Sequence, residues 1–226
     1  MKTRLPFLPS VMLIFGLLCS QVAYSATLRS PRSAGETNCS LVLEGAISEG
    51  DAEALQTALP YAERGEFTLC LNSPGGSLIE GIRMSDIVAD HGVATLVKNG
   101  ATCASACAVA FLGGTCSASG DAGIYENHCR LIEPEAVVEF HAPFIQELEQ
   151  AQFETFSAAD VRRIWATSRV VAGLYAEALS NREVPMDMIV DFLAVDPNIA
   201  GQAAGVRLMI KDRALRDLLM AGFWAG

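Results

Sequence analysis

Between Cys39 and Leu112, short apolar runs alternate with stretches of helical spacing. Cys39 to Leu43 reads as a strand and Gly45 to Gly50 as a turn. Asp51 to Arg64 carries Ala54, Leu55, Ala58 and Leu59 at helical intervals, with Gly50 or Asp51 as the start. Phe67 to Leu71 is a second short strand that runs into Asn72-Ser73-Pro74-Gly75-Gly76. Leu78, Ile79, Ile82, Ile87 and Val88 then define a helix, and Val93 to Val97 a third strand. An order of β-α-β-α-β-α predicts an α/β layered fold with a largely parallel sheet, because parallel neighbours need a crossover element between them.

The stretch Lys98 to Gly114, KNGATCASACAVAFLGG, is the centre of this pattern. It opens as a polar turn at Asn99-Gly100, passes through small residues, and becomes an apolar run from Ala106 to Leu112 that predicts a buried helix. Ser105 stands at the handover. A helix's first turn has backbone N–H groups without intrahelical partners, so a serine there presents its hydroxyl beside donors and the positive end of the dipole. On this stretch alone, an N-cap is the simpler role for Ser105.

The rest of the chain follows the same reading. After a loop from Thr115 to Arg130, Ala136 to Phe140 is a strand ending on His141-Ala142-Pro143-Phe144. Pro143 forces the preceding residue out of the helical region, which puts His141 just before a sharp exit from a strand. Gln146 to Arg182 is largely helical, as is Pro185 to Leu193, and Ala203 to Leu219 is a strand or a helix. Of the other histidines, His91 falls at a helix end before Gly92, where capping is expected, and His128 lies in the polar loop.

The first 25 residues read as a signal peptide. Lys2 and Arg4 form a basic start, Leu5 to Leu18 an apolar core too short for a comfortable span, and Ala23 and Ser25 suit cleavage. Leu18 before Cys19 argues against lipid attachment there. Residues 26–38 are expected to be a flexible arm and 39–226 a single domain, with 115–130 as an inserted loop. Removal of the leader leaves 14 basic and 26 acidic residues, a net charge of −12. Such a chain is a poor partner for nucleic acid or anionic lipid, and no stable membrane insertion is expected after cleavage. The expected location is periplasmic or secreted.

Six cysteines remain beyond the leader: Cys39, Cys70, Cys103, Cys107, Cys116 and Cys129. In an oxidising compartment they can form disulfides. Cys116 and Cys129 bracket a Gly/Ser/Asp/Asn-rich stretch and are expected to staple it. Cys103 and Cys107 have a spacing that also suits a metal, but no second cluster of ligands follows, so no metal and no cofactor is expected. The partners of Cys39, Cys70, Cys103 and Cys107 stay open.

Together, Leu71-Asn72-Ser73-Pro74-Gly75-Gly76, Ser105 with its apolar run and Gly113-Gly114, and Phe140-His141-Ala142-Pro143 resemble the Clp protease proteolytic subunit of the crotonase-like superfamily. The likeness covers about Cys39 to Pro143 and is greatest to a periplasmic branch, in which a signal peptide precedes the domain and the serine lies between two cysteines. It implies Ser105 as nucleophile, His141 as general base, and the N–H groups of Gly76 and Ala106 as an oxyanion hole. The extra length between Ser105 and His141 is taken up by the Cys116–Cys129 loop. In the family's register Phe192 stands where the catalytic acid belongs, with Asp191 adjacent as first candidate and Asp196 one turn on as second.

The expected function is therefore a secreted serine hydrolase, a peptidase acting on a peptide or protein substrate. The alternative is a catalytically weak Clp-like scaffold that binds peptides or partner proteins in the same cleft. A crotonase-type acyl-thioester enzyme is disfavoured, since coenzyme A is cytoplasmic and such an enzyme has no need of Ser105. The family's rings imply self-association, so a homo-oligomer is compatible with the reading. N-terminal sequencing of the exported protein should find Ala26 first; retention of Met1 to Ser25 would make the leader an anchor instead.

Overall fold

A computed structural model describes residues 25–33, 36–59, 67–120, 123–144, 155–194 and 206–209. The alternation of the sequence becomes a five-stranded sheet ordered β1-β2-β3-β4-β8. Its strands are β1 (Thr27–Arg29), β2 (Leu41–Glu44), β3 (Thr68–Asn72), β4 (Ala94–Val97) and β8 (Arg130–Ile132). The pairs β2–β3, β3–β4 and β4–β8 are parallel, and β1 runs antiparallel along the β2 edge. A second sheet is ordered β10-β9-β5, with β5 (Thr102–Ala104) parallel to β9 (Val137–Phe140) and β10 (Val206–Met209) antiparallel to it. The described helices are α1 (Asp51–Ala58), α2 (Leu78–Asp90), α3 (Ala106–Phe111), α4 (Ala158–Ser180) and α5 (Met186–Ala194). The protein is thus a mixed α/β molecule with a mostly parallel sheet, as the strand–helix alternation predicts.

Side-chain alternation explains how the first sheet buries both faces. Leu43, Leu69, Leu71 and Val97 point into the main core with Leu55, Met84, Val88 and the whole of α3. Val42, Cys70 and Leu96 point to the other face, where they cluster with Cys39 and partly buried Leu131. Successive residues of a strand face opposite sides, so strands covered on both sides read as continuous apolar runs. A Cys39–Cys70 disulfide, Cα to Cα 5.5 Å, ties the second face to the segment before β2.

Several expectations change in detail. The first helix ends at Ala58 rather than Arg64, because Leu59 is extended (ψ 113°) ahead of Pro60, whose ring disfavours a helical residue before it. Residues 60–66 lie outside the described set, as do 1–24 of the leader and 146–154 of the long predicted helix. Thr27–Arg29 is a strand rather than a loose arm: Leu28 packs on the core, and Arg29 bonds Glu36 at 2.7 Å and Glu44 at 3.2 Å. The small residues Thr102–Ala104, expected as the end of a turn, form β5 because β9 supplies a pairing partner. The segment expected as an inserted loop is an antiparallel hairpin, β6 (Thr115–Gly120) and β7 (Gly123–His128), in register from Thr115↔His128 to Gly120↔Gly123. Ala203 to Leu219 contributes β10, a strand.

Two features fasten the hairpin. Cys116 and Cys129 are paired, as expected, and His128 Nε2 donates to Glu183 at 2.9 Å while its Nδ1 accepts from Arg130 at 3.0 Å. Arg130 is fully buried, and burial together with the nearby Arg182 charge pulls its guanidinium down to about 9. Helix α4 begins with a capping box at Ser157 and Asp160. Only Tyr175 and Leu179 on it are buried, and Val161, Trp165 and Val170 are exposed. No helix among the described residues is long and apolar enough to cross a membrane.

The third cysteine pair is Cys103–Cys107. Non-reducing peptide mapping of the purified protein should recover Cys39–Cys70, Cys103–Cys107 and Cys116–Cys129; a free or differently paired cysteine would contradict this arrangement.

Candidate active site

The site is built where β5 meets α3. Ser105 N donates to Glu139 O at 2.9 Å, extending the β5–β9 ladder by one bond, and the chain then turns abruptly into the helix. The turn puts Ser105 at φ 56°, ψ −123°, a left-handed conformation that costs a non-glycine residue on the order of 1–3 kcal/mol. Its hydroxyl makes no capping bond. The N-cap role suggested by the local sequence is therefore not what Ser105 does; the hydroxyl is held out on a strand–turn–helix elbow.

The elbow is held from behind and across. Residues Ala106 to Phe111 are all buried, and α2 lies so close that a Cβ on Gly81 would stand 2.4 Å from Ala106 O. Only a glycine permits that approach. The Cys103–Cys107 disulfide spans the elbow, its Cα atoms 5.1 Å apart, so neither sulfur is available to a metal.

The Ser73-Pro74-Gly75-Gly76 turn packs directly against it. Ser73 N donates to Thr102 O at 2.7 Å and Ala104 N donates to Ser73 O at 3.0 Å, which joins the end of β3 to β5. The buried Ser73 hydroxyl accepts from Gly75 N at 3.1 Å. Gly75 (φ 93°) has no room for a side chain: its Cβ would lie 2.5 Å from Ala104 O, 2.6 Å from Ser105 Cβ and 3.0 Å from Ala106 N. On the far side, Ile47 N donates to Gly75 O at 2.8 Å and Ser77 N to Ile47 O at 2.9 Å. Among the described residues, the Gly76 and Ala106 N–H groups have no acceptor. Two unpaired donors thus flank the serine, an arrangement suited to a developing oxyanion.

His141 follows β9 directly, at the C-terminal end of the strand next to the one that delivers Ser105. Neighbouring strands lie about 5 Å apart, and the register continued by one residue sets Ser105 opposite Phe140, one residue before His141. The ring is 9% exposed and packs against Phe144 with centroids 5.5 Å apart. Its Nδ1 is 2.8 Å from Ala142 O. A carbonyl oxygen can only accept, so Nδ1 carries the proton and Nε2 of the neutral ring is left as the base. Ser105 Oγ makes no hydrogen bond to His141 in this conformation, and bonds of this kind commonly tighten only when substrate binds.

Among the described residues no carboxylate is hydrogen-bonded to the histidine. Asp191 is exposed on α5 and makes no hydrogen bond or ion pair among the described residues; Asp196 lies outside them. Phe192, fully buried, stacks on Phe140 with centroids 4.6 Å apart and 7° between planes. An apolar ring thus packs one residue before His141, and the Ala142 carbonyl takes the orienting role at Nδ1. Sequence reasoning missed Ser73, Ile47 and the Ala142 carbonyl, since two of the three act through main-chain atoms. For Ser73 a signal existed: a serine two residues before the first glycine of a turn can accept its N–H.

Compared with models of known protein families and with curated proteins, the chain matches none.

Gly75→Ala should move the elbow, because the atoms its methyl meets are backbone and a short side chain. We expect a loss of about 1–3 kcal/mol in urea unfolding, whereas Gly173→Ala, with nothing within 4 Å on exposed α4, should be neutral or stabilising.

Proposed function

We propose that the protein is an exported serine hydrolase, a peptidase of the Clp-like kind within the crotonase-like superfamily, acting in the periplasm or outside the cell. The observation that carries this reading is the left-handed Ser105 elbow, packed against Gly75 and placed beside the strand that ends on His141. In an exported protein the three cysteine pairs are also readily explained.

The chemistry follows from the parts. Ser105 Oγ passes its proton to His141 Nε2 and attacks the substrate carbonyl. The oxygen that gains charge accepts from Gly76 and Ala106 N–H, and the imidazolium then returns the proton to the leaving amine. Water hydrolyses the resulting acyl-enzyme by the same steps. A neutral carbonyl at Nδ1 fixes the tautomer as a carboxylate would, but it offers less stabilisation to the imidazolium, so turnover is slow. Asp191 plays no part in this scheme.

A second reading, a scaffold that binds peptides in the same cleft, is supported by one observation: Phe192, the residue that the resemblance aligns with the acid, is buried in a stack on Phe140. A fluorophosphonate probe separates the two. The hydrolase reading expects covalent labelling that Ser105→Ala abolishes, that His141→Ala slows by about 10²-fold or more, and that Asp191→Asn leaves unchanged. Peptide binding with no labelling would select the scaffold.

A further inference from the structure

Asp51, the first residue of α1, is buried at 4% exposure, yet its carboxylate faces the N-terminal segment rather than a basic side chain. Oδ2 accepts from Ala26 N at 3.1 Å and from Ser48 N at 2.7 Å, and Oδ1 accepts from the Ser25 hydroxyl. Ser25 and Ala26 are the two residues between which cleavage is expected. Strand β1, which starts at Thr27 opposite Glu44, follows Ala26 directly and anchors it from the C-terminal side.

We propose that Asp51 is the receptor for the α-ammonium group created at Ala26 when the leader is removed, and that this ion pair fastens the loop supporting Gly75 and Gly76. A leader peptidase adds one water across the Ser25–Ala26 bond. The new carboxylate departs with Ser25, and the new amine takes a proton. The Ser25 hydroxyl bond is lost with the leader, and the single Ala26 amide donor becomes an ammonium with three donors that can reach both Asp51 oxygens. An uncleaved chain gives a buried carboxylate only neutral donors; a cleaved one gives it a counter-charge, which a buried acid favours strongly.

The consequence travels along a short chain of backbone bonds. Asp51 holds Ser48 N, and the residue before it, Ile47, donates to Gly75 O and accepts from Ser77 N. A Cβ on Gly76 would meet Ile47 O at 2.0 Å, so the loop 45–48 and the glycine pair can move only together. Removal of the leader thereby sets the oxyanion donors beside Ser105. The receptor role rests on cleavage at Ser25–Ala26; its effect on Ser105 rests on the hydrolase reading.

The test compares three forms of the full mature chain: one beginning with a free Ala26, one with Ala26 acetylated, and one extended by Ser25. Hydrogen exchange at the Ile47, Ser48 and Ser77 amides is read alongside fluorophosphonate labelling. The free form should exchange at these amides about tenfold more slowly than the other two, and Asp51→Asn should abolish the difference. Equal exchange in the free and acetylated forms overturns the proposal whatever the labelling shows, and the acetylated form keeps the test valid even if Asp51→Asn fails to fold. An exported protein that begins elsewhere than Ala26 overturns it as well. Slower exchange with parallel gains in labelling supports both parts. Slower exchange with no labelling in any form upholds the receptor role and rejects the hydrolase reading instead.

Discussion

The contact on which the rest depends is the one between Gly75 and the Ser105–Ala106 peptide. Two chain segments meet there at a residue without a side chain, and Ser105 is in a left-handed conformation that a non-glycine residue in an isolated chain would avoid. That conformation does not persist alone. The Ser73–Cys103 bridge fixes one segment to the other, Ile47 closes the glycine turn from behind, and the Cys103–Cys107 bond limits how far the elbow can relax. Local strain of this kind survives only where the surroundings over-determine it. The surroundings here are two sheets and two helices, which explains why so much of the core lies close to one serine.

The central helix serves this contact more than it serves the overall fold. It is only six residues long and wholly buried, and it ends in a glycine pair whose first member lies against Ser85 on α2. So short a helix has little stability of its own and depends on packing for its existence. Small residues on α2 and α3 let the two backbones approach, and that approach sets the direction in which the first N–H groups of α3 point.

Much of this was legible in the sequence and some was not, for physical reasons. The parallel sheet was readable because strands buried on both faces must be apolar throughout, as in Leu41 to Leu43 and Leu69 to Leu71. The Cys116–Cys129 pair was readable because its partners are close in the chain. β5 was not: Thr102, Cys103 and Ala104 have no strand signature, and only β9, more than thirty residues away, makes them one. The exposure of α4 was also hidden, since helical spacing of apolar residues marks a face without saying that anything covers it. For Ser105, the local rule for helix starts pointed to a cap, and the long-range contact with Gly75 overrode it. The acid illustrates the opposite case. The resemblance aligned Phe192 with that position, and in the structure Phe192 is buried against Phe140 while Asp191 is exposed.

The hydrogen bond from His141 to the carbonyl of the next residue alters how this site responds to mutation. Where the orienting group is a side chain, a single base change can delete it and leave the rest of the machinery idle. Here the orienting atom belongs to the main chain, and every residue type supplies it. Under the proposed hydrolase reading, the target for inactivating substitutions shrinks accordingly, from three side chains to two. What the position after His141 must preserve is a direction of the peptide, and Pro143 is the residue that restricts it.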